Sequence, residues 1–591
     1  MQSIKLLFRL INTFSRRRRI QILLVTISLI FSAVLDVISI GSIIPFIGIL
    51  VDADATFLNP SFNKYFLMVG FKNPDELVMP LTGLFISLVW ISTSFRMLIF
   101  WASNRIAISC GNDLSCSIYS KVLNRSFADH LASSSDEVVN SIVNNVNTTI
   151  FNGLYTFLLF LSSIILSTAI FSILIYLNPK IFLLAIATII LFYAPVVLLV
   201  QKRLHTNSII TNNSQKIVIK MIQESLSGIR EIILKNLFIN FLASFKQADY
   251  KLRRTIGSNK FIGESPKFVI EALALSLMAI FAFVIITSPS GVDQGLATLG
   301  VIALGAQKII PNLQQIYRGY SSIVSSHASM EDVLKIIGST IAPQKSADAK
   351  FDYSQEFLSI NFKNVSYQYS RESPIILNDV NLEIKSGDIV GIIGGTGSGK
   401  STLIDLFLGL LKPSHGQIQV NGHQLIDAID FWHKKISHVP QSIFLANDSL
   451  RNNIAFGIDE QLIDRKKIEY SSAITQLNKL IDSKVDGLLE KVGESGAKLS
   501  GGQIQRLGLA RAIYREAEVL VLDEATSALD RPMEEKVMDA IYEIYHKKRT
   551  LLIISHNIEV LAKCTKILEI KDSRLVTYSS LSEYQNSKQS H

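Results

Sequence analysis

Two patterns of hydrophobic positions divide this 591-residue chain. Before about Thr340 the apolar positions fuse into long runs. After about Phe357 they come in short bursts between polar, glycine-containing turns. A bilayer core of ~30 Å takes about 20 mostly apolar residues in a helix. Windows 20–50, 78–101, 151–176, 181–200, 268–287 and 296–316 meet that demand and predict six spans; the last contains Pro311, which blurs its boundary. Only "LNPK" separates the third window from the fourth, a tight outer turn. The polar stretches between windows two and three, and four and five, stay helix-compatible, predicting helices that run well beyond the membrane. "SLSGIREIILKN" (225–236) interrupts the second of these and predicts a short transverse helix, and a similar one is expected near 124–134. "SFNKYFLMVGFKNPDELVMP" is too polar to cross; its spacing suggests an amphipathic helix on the outer surface.

In the second half, "LSINFKNVSYQY", "NLEIKSGDIVGIIG", "ISHVPQ", "VLVLDEA" and "TLLIISH" read as strands with helical stretches between them. This is an α/β pattern with a largely parallel sheet. The expected organisation is a transmembrane domain at 1–338, a polar linker at 339–356, a soluble nucleotide-binding domain at 357–581 and a tail at 582–591.

Charge supports the membrane half and sets its orientation. The net charge of +9 is carried by "RRRR" (16–19), just before the first window, and by the Lys and Arg residues of 202–260. The segments placed outside carry almost none, which is the positive-inside asymmetry. With the amino terminus inside, six crossings return the chain to the cytosol, where the soluble half belongs. Nucleic-acid binding is not expected, because no basic face is interleaved with stacking aromatics. Window 20–50 is too long for a signal-peptide core and lacks a small-residue cleavage site, so it reads as a retained span. Cys110, Cys116 and Cys564 have neither disulfide nor metal-cluster spacing.

The chemistry sits in the soluble half. "GGTGSGKS" is Gly394, Gly395, Thr396, Gly397, Ser398, Gly399, Lys400 and Ser401, followed by Thr402, with a strand before it and a helix after. Glycines let successive N–H groups curl round phosphates, Lys400 adds a point charge, and Ser401 offers a hydroxyl to Mg²⁺. "VLVLDEAT" delivers Asp523 to the metal shell and Glu524 to the attacking water. His556 ends another strand, where it can meet a γ-phosphate. "LSGGQ" opens a second helix with Ser500, Gly501, Gly502 and Gln503, itself an anion-binding arrangement.

The phosphate loop, "VPQ" with Gln441, "VGESG" then "LSGGQ", "VLVLDEATSALD" and "IISH" occur in the order and spacing of ATP-binding cassette (ABC) transporters, which the soluble half resembles throughout. The resemblance implies the ABC type IV exporter architecture: a six-span α-helical transmembrane domain fused to a cytosolic α/β P-loop nucleotide-binding domain. It implies ATP and Mg²⁺ as cofactors, and ATP hydrolysis coupled to transport. Tyr369 would stack on adenine in preference to Tyr367. Gln441 would contact Mg²⁺ and water, and Ser500 to Gln503 would touch the γ-phosphate held by a partner cassette. Asp530 would communicate across the dimer, and Glu524 and His556 would be catalytic. One cassette with both half-sites intact implies a homodimer. The departures, Gly395 within the loop and "SHNIEV" where relatives usually have "AHRLS", remove no chemical group. The transverse helices match positions where exporters press on their cassettes.

Substrate choice has to come from the membrane half. Asp36, Arg96, Lys267, Glu271 and Lys308 fall within or beside the windows, where charge is expensive. One account is structural: Lys267 and Glu271 are spaced for an i,i+4 ion pair, and Arg96 can snorkel. The other is a cavity holding an anionic headgroup. The first span, Arg96, "PKFVIEAL" and "KIIPNLQQIYRGYSS" are similar to the lipid-linked oligosaccharide flippase of bacterial protein N-glycosylation. That likeness implies an amphiphilic anionic glycolipid, polyprenyl-pyrophosphate-linked, flipped to the outer leaflet of the bacterial inner membrane. Export of lipid A, a peptide or hydrophobic drugs is the alternative, and a non-transporting ATPase regulator a third. A processing protease is not expected, since no Cys/His domain precedes the first window.

Overall fold

A computed structural model describes residues 2–42, 46, 49, 54, 57, 68, 77–177, 179–286, 292–338, 354–370, 372–545 and 549–589. The chain forms two compact units. One comprises Met1–Arg125 and Ala132–Ile341, the other Ser126–Leu131 and Ala342–His591.

The first unit is helical. Its helices are α1 (Gln2–Thr13), α2 (Arg16–Gly41), α3 (Val78–Leu123), α4 (Phe127–Ala132), α5 (Ser135–Asn140), α6 (Thr156–Leu177), α7 (Pro179–Ser227), α8 (Ile229–Leu234), α9 (Phe238–Glu264), α10 (Pro266–Ile286), α11 (Val292–Ser325) and α12 (His327–Gly338). Most of α4 is counted with the second unit. Helix α2 is apolar on both sides. Ile22, Val25, Leu29 and Ala33 are buried, while Leu23, Leu24, Ile27 and Ile30 face outward. A helix that is hydrophobic all round needs an apolar solvent on its outer side. Among the described residues three helical stretches, Arg16–Ser39, Val78–Leu123 and Ser135–Ser172, are long and apolar enough to cross a membrane. The six expected windows all fall mainly in helices: α2, α3, α6, α7, α10 and α11. Helices α3 and α7 contain 46 and 49 residues. At 1.5 Å per residue each is ~70 Å long, roughly twice a bilayer core.

The expected break at 225–236 is present. Helix α7 stops at Ser227, Gly228 intervenes, and α8 ends before Asn236, whose φ of 56° turns the chain into α9. The outer amphipathic helix, most of the linker and Asn178 of the "LNPK" turn lie outside the described residues. Before α6 the backbone widens into π-helix at Ser141–Asn145 and again at Thr148–Tyr155. The interior there is polar: Asn212 accepts from Asn140 at 3.2 Å and donates to Asp332 at 2.9 Å, and Lys216 reaches Asp332 at 2.9 Å.

The second unit contains two sheets rather than the one expected. β1 (Ser359–Tyr367), β2 (Leu377–Lys385), β4 (His415–Val420) and β5 (His423–Gln424) form an antiparallel sheet in the order β2-β1-β4-β5. The other sheet runs β10-β9-β3-β8-β7-β6 and is parallel except at its β10 edge. Its strands are β3 (Ile389–Gly394), β6 (Ile436–Val439), β7 (Val519–Asp523), β8 (Thr550–Ile554), β9 (Lys566–Lys571) and β10 (Arg574–Tyr578). β7 and β8 are buried almost throughout, as unbroken apolar runs require in a sheet covered on both faces. The helices that matter below are α13 (Lys400–Phe407), α14 (Ile429–Lys435), α15 (Leu450–Ile454), α16 (Arg465–Ile474), α17 (Asn478–Asp482), α18 (Gly501–Tyr514), α19 (Arg531–Ile544) and α20 (Leu581–Gln589). Residues set apart as a tail form α20, which seats Tyr584 against Tyr578 and Lys588 against Glu569. Phe127 of α4 packs against this unit's core.

Candidate functional site

Strands β3, β8, β7 and β6 lie side by side and parallel, so their carboxyl ends line up at one edge. Ligand sites in open α/β sheets form at that edge. β3 delivers the loop from Gly394 to Gly399, β7 delivers Asp523 and Glu524, β8 is followed by His556, and β6 by Gln441.

The loop needs its glycines at specific points. Gly399 has φ 105°, and a Cβ there would stand 2.9 Å from Ile376 Cγ2; Gly397 has φ 77°. Gly395 has open space around it, so its departure from many relatives costs nothing locally. Thr396 is exposed, Ser401 is exposed in the first turn of α13, and Thr402 is buried behind it. Lys400 Nζ donates to the carbonyls of Gly394 at 2.8 Å and Gly395 at 3.0 Å, which keeps its charge inside the curl of the loop. Ser398 Oγ is buried with no hydrogen-bond partner. A buried hydroxyl in a ring of amides and one ammonium fits polyphosphate chemistry.

At the neighbouring strand end, Glu524 accepts from Gln441 Nε2 at 2.8 Å and meets His556 Nε2 at 3.0 Å. Its φ of 50° places a non-glycine residue in the left-handed region, a strained backbone of the kind found at functional positions. Asp523 beside it has its carboxyl pKa raised, first by burial and then by the Glu524 charge, with Lys400 opposing. Two carboxylates crowded next to a half-buried lysine fit a divalent cation, which would relieve that repulsion. The residues therefore fit ATP with Mg²⁺. Lys400 and the loop amides would hold the phosphates, Ser401 and Asp523 the metal, and Glu524 an attacking water.

Tyr369 is exposed and its hydroxyl lies 3.3 Å from Thr402 Oγ1, while Tyr367 is buried in the core. Ser500 caps α18 with a full capping box: Gln503 N–H donates to Ser500 Oγ at 3.3 Å and Ser500 N–H to Gln503 Oε1 at 2.9 Å. Gly501 and Gly502 lie against Ala528, and a Cβ on Gly502 would meet its carbonyl at 3.0 Å. Asp530 is the N-cap residue of α19. Among the described residues no hydrogen bond joins Ser500 to Gln503 with the phosphate loop, Gln441, Glu524 or His556. The structure gathers the loop, Gln441, Asp523, Glu524 and His556, and leaves the signature on its own helix.

Sequence reasoning missed the residues that tie these pieces together. Gln505 is buried; its Nε2 donates to Glu524 O at 3.3 Å and Ser527 Oγ at 3.0 Å, and its Oε1 accepts from Ala528 N–H at 2.7 Å. Glu534 accepts from Thr526 Oγ1 at 2.6 Å and Asn557 Nδ2 at 2.9 Å, linking the segment after Glu524 to the one after His556. Asn557 belongs to the "SHNIEV" departure, and its pairing with Glu534 gives that departure a structural use.

In the helical unit, Asp36 is 2% exposed, accepts from Ser92 Oγ at 2.7 Å and pairs with Lys308 Nζ at 3.3 Å. Two of the charges expected at a substrate cavity, Asp36 and Lys308, are thus paired with each other across helices. Lys267 and Glu271 form the i,i+4 pair at 3.9 Å, and Glu271 also accepts from Gln314 at 3.2 Å. Arg96 is exposed.

Residues 22–256 match the ABC transporter transmembrane region, and residues 377–527 match the ABC transporter domain. Among curated relatives, the chain is 31% identical over 360 residues to the exotoxin translocation ATP-binding protein PaxB of Pasteurella aerogenes, covering 60% of this chain and 48% of that one. It is 35% identical over 219 residues to the ATP-dependent lipid A-core flippase of Ralstonia nicotianae, 37% of each chain. The chain thus spans about half or less of the curated relatives it matches. A bacterial Atm1-family ABC exporter solved with ATP bound superposes with a TM-score of 0.76 at 20% identity, covering 98% of this chain and 97% of that one, a likeness of fold. An ABC transporter transmembrane region and an ABC transporter domain are thus matched in one polypeptide.

Proposed function

We propose that the chain is an ATP-driven exporter that moves a polyprenyl-pyrophosphate-linked oligosaccharide, or a similar anionic glycolipid, from the cytosolic to the outer leaflet of a bacterial inner membrane. The observation that carries the ATPase half is Glu524, held by Gln441 and His556 at the strand edge that bears the phosphate loop. Glu524 polarises water, His556 and Lys400 face the γ-phosphate, and Asp523, Ser401 and Gln441 serve the metal. Tyr369 stacks on adenine. Ser500, Gly501, Gly502 and Gln503 complete the site of a second copy, with Asp530 at the junction, so the working form is a homodimer. The separation of the signature from its own phosphate loop supports that assembly. Residues 1–338 form the translocation domain and 357–581 the motor. The short helices α4 and α8 pass the motor's closure to the spans.

The substrate half rests on Arg96, a membrane-window cation for which no ion pair occurs among the described residues. The test is ATP-dependent translocation in proteoliposomes, offering a polyprenyl-pyrophosphate glycan, lipid A and a hydrophobic cationic dye. Selective glycan-lipid movement, abolished by Glu524→Gln and reduced by Arg96→Ala, supports the proposal. The named relatives favour a second reading, export of lipid A or of a polypeptide. Movement of lipid A alone would establish the lipid form of that reading, and normal hydrolysis by Glu524→Gln would sink the assigned catalytic role.

A further inference from the structure

The helical unit contains a pocket of about 470 Å³, and none of the charged residues expected to line a substrate cavity borders it. Its walls come from the second π-helical segment and from α7, α9, α11 and α12. Ligand pockets of ~300–1,000 Å³ are usually lined by apolar groups with a few polar ones. Here most of the lining side chains are polar: Thr148, Asn152, Thr211, Gln215, Asn259 and Ser325 present hydroxyls and amides beside the charged Lys260, Glu264 and Arg318, and Ile256 is the one apolar side chain of any size. Such groups both donate and accept. A hydrocarbon chain or an aromatic drug would leave them unpaired, at a cost in affinity.

Several independent features mark the pocket as built for a ligand. Thr211 Oγ1 is buried and has no hydrogen-bond partner. Buried polar atoms in native proteins are nearly always paired, so an unpaired hydroxyl on a pocket wall calls for an external partner. The wall carrying Thr148 and Asn152 is π-helical, a geometry that concentrates at functional sites. At Gly263 the walls come close: a Cβ there would stand 3.3 Å from Ser321 Oγ. Of the charged lining residues, Arg318 is paired with Glu264 at 3.1 Å, and Lys260 has no ion pair among the described residues.

We propose that this pocket binds the saccharide headgroup of a glycolipid, reading sugar hydroxyls through Thr211, Gln215 and Ser325. The proposal deepens the glycolipid reading given above and rests on it for the lipid that carries the sugar. A polyprenyl-pyrophosphate glycan and lipid A core both present sugars, and the experiment separates them.

Binding is measured on the full chain in nanodiscs with three probes: polyprenyl-pyrophosphate chitobiose, sugar-free polyprenyl pyrophosphate, and lipid A core. Loss of one neutral hydrogen bond weakens binding about fivefold. Thr211→Val and Gln215→Leu should each cost that factor for a sugar-bearing lipid and leave the sugar-free lipid unaffected. A second measurement needs no lipid. In a Cys116→Ser background, Ser325→Cys is alkylated with a maleimide, and soluble chitotetraose should slow the reaction. If the wild type binds neither polyprenyl lipid but chitotetraose or lipid A core protects Ser325→Cys, the glycolipid source changes and the sugar pocket stands. If chitobiose lipid binds, both variants bind it normally and no sugar protects, the pocket proposal falls while the flippase reading survives. Equal loss for sugar-bearing and sugar-free lipids also overturns it.

Discussion

Gln505 offers the sharpest test of how the cassette holds its catalytic carboxylate. Gln505→Leu keeps the side-chain volume and removes three hydrogen bonds: to Glu524 O at 3.3 Å, to Ser527 Oγ at 3.0 Å and from Ala528 N–H at 2.7 Å. Each neutral bond contributes roughly 1 kcal/mol net. Ser527 and Ala528 are exposed and can turn to water, so a stability loss of about 2 kcal/mol is expected, at the low end of the three-bond sum. Turnover should suffer more. Glu524 sits at φ 50°, and apart from Gln505 its backbone is held by the Glu524 N–H to Ile554 O bond at 3.1 Å and the Ser527 N–H to Glu524 O bond at 3.2 Å. Releasing one of three restraints lets the strained residue relax, and a shift of ~1 Å at a catalytic group costs about a hundredfold in rate. Steady-state ATP hydrolysis in nanodiscs should show kcat falling by about ten- to a hundredfold. KM should barely change, because Lys400 and the loop are untouched. Gln505→Glu keeps an acceptor for Ala528 N–H and loses both donors, so it should fall between. A folded Gln505→Leu protein with wild-type kcat would refute this account of Glu524 positioning, and a rise in KM alone would relocate the effect to nucleotide binding.

Gly399→Ala forces a Cβ to 2.9 Å from Ile376 at a φ of 105°. Strain of ~1–3 kcal/mol should weaken binding of a fluorescent ATP analogue by about fivefold or more, and unchanged affinity would refute the strain. Asp405 on α13 has its pKa raised to about 6 by burial, with Asp523 adding repulsion. The folded pKa lies above the unfolded value of ~3.9, so the protonated form favours folding and stability is lost as pH rises from about 4 to 6. Asp405→Asn should therefore melt above the wild type at pH 7.5, with the gap closing towards pH 4; a gap independent of pH would count against the raised pKa. Phe127→Ala removes a ring packed on the cassette core. It should reduce transport by a larger fraction than ATP hydrolysis, and equal losses would make α4 a stability element only.

What could be read from the chain follows the range of the interactions involved. The phosphate loop is a local object: strand, glycines and helix occupy consecutive residues, and its chemistry is complete in one stretch. Strands β7 and β8 were equally legible, because burial on both faces demands an unbroken apolar run. The antiparallel sheet was not, since β4 is "HGQIQV", half polar, and is recruited by pairing with β1. Gln505 and Glu534 were invisible for a related reason: each is a polar residue in a helix whose role is set by a loop brought alongside in space. The membrane charges show the limit most clearly. A buried charge in a span tells that a partner exists, because an isolated one is too costly, but only an i,i+4 partner can be named from spacing. The nameable pair, Lys267 and Glu271, turns out long at 3.9 Å and half exposed, the kind of contact that contributes little. The pair that matters more, Asp36 with Lys308, joins residues 272 apart in sequence. Asp36 is buried, so removing Lys308 would strand a carboxylate in the bundle. Two of the five charges read as substrate contacts are thereby satisfied within the fold. Besides Arg96, a headgroup would meet hydroxyls and amides, which carry no warning charge in a sequence and which line the pocket.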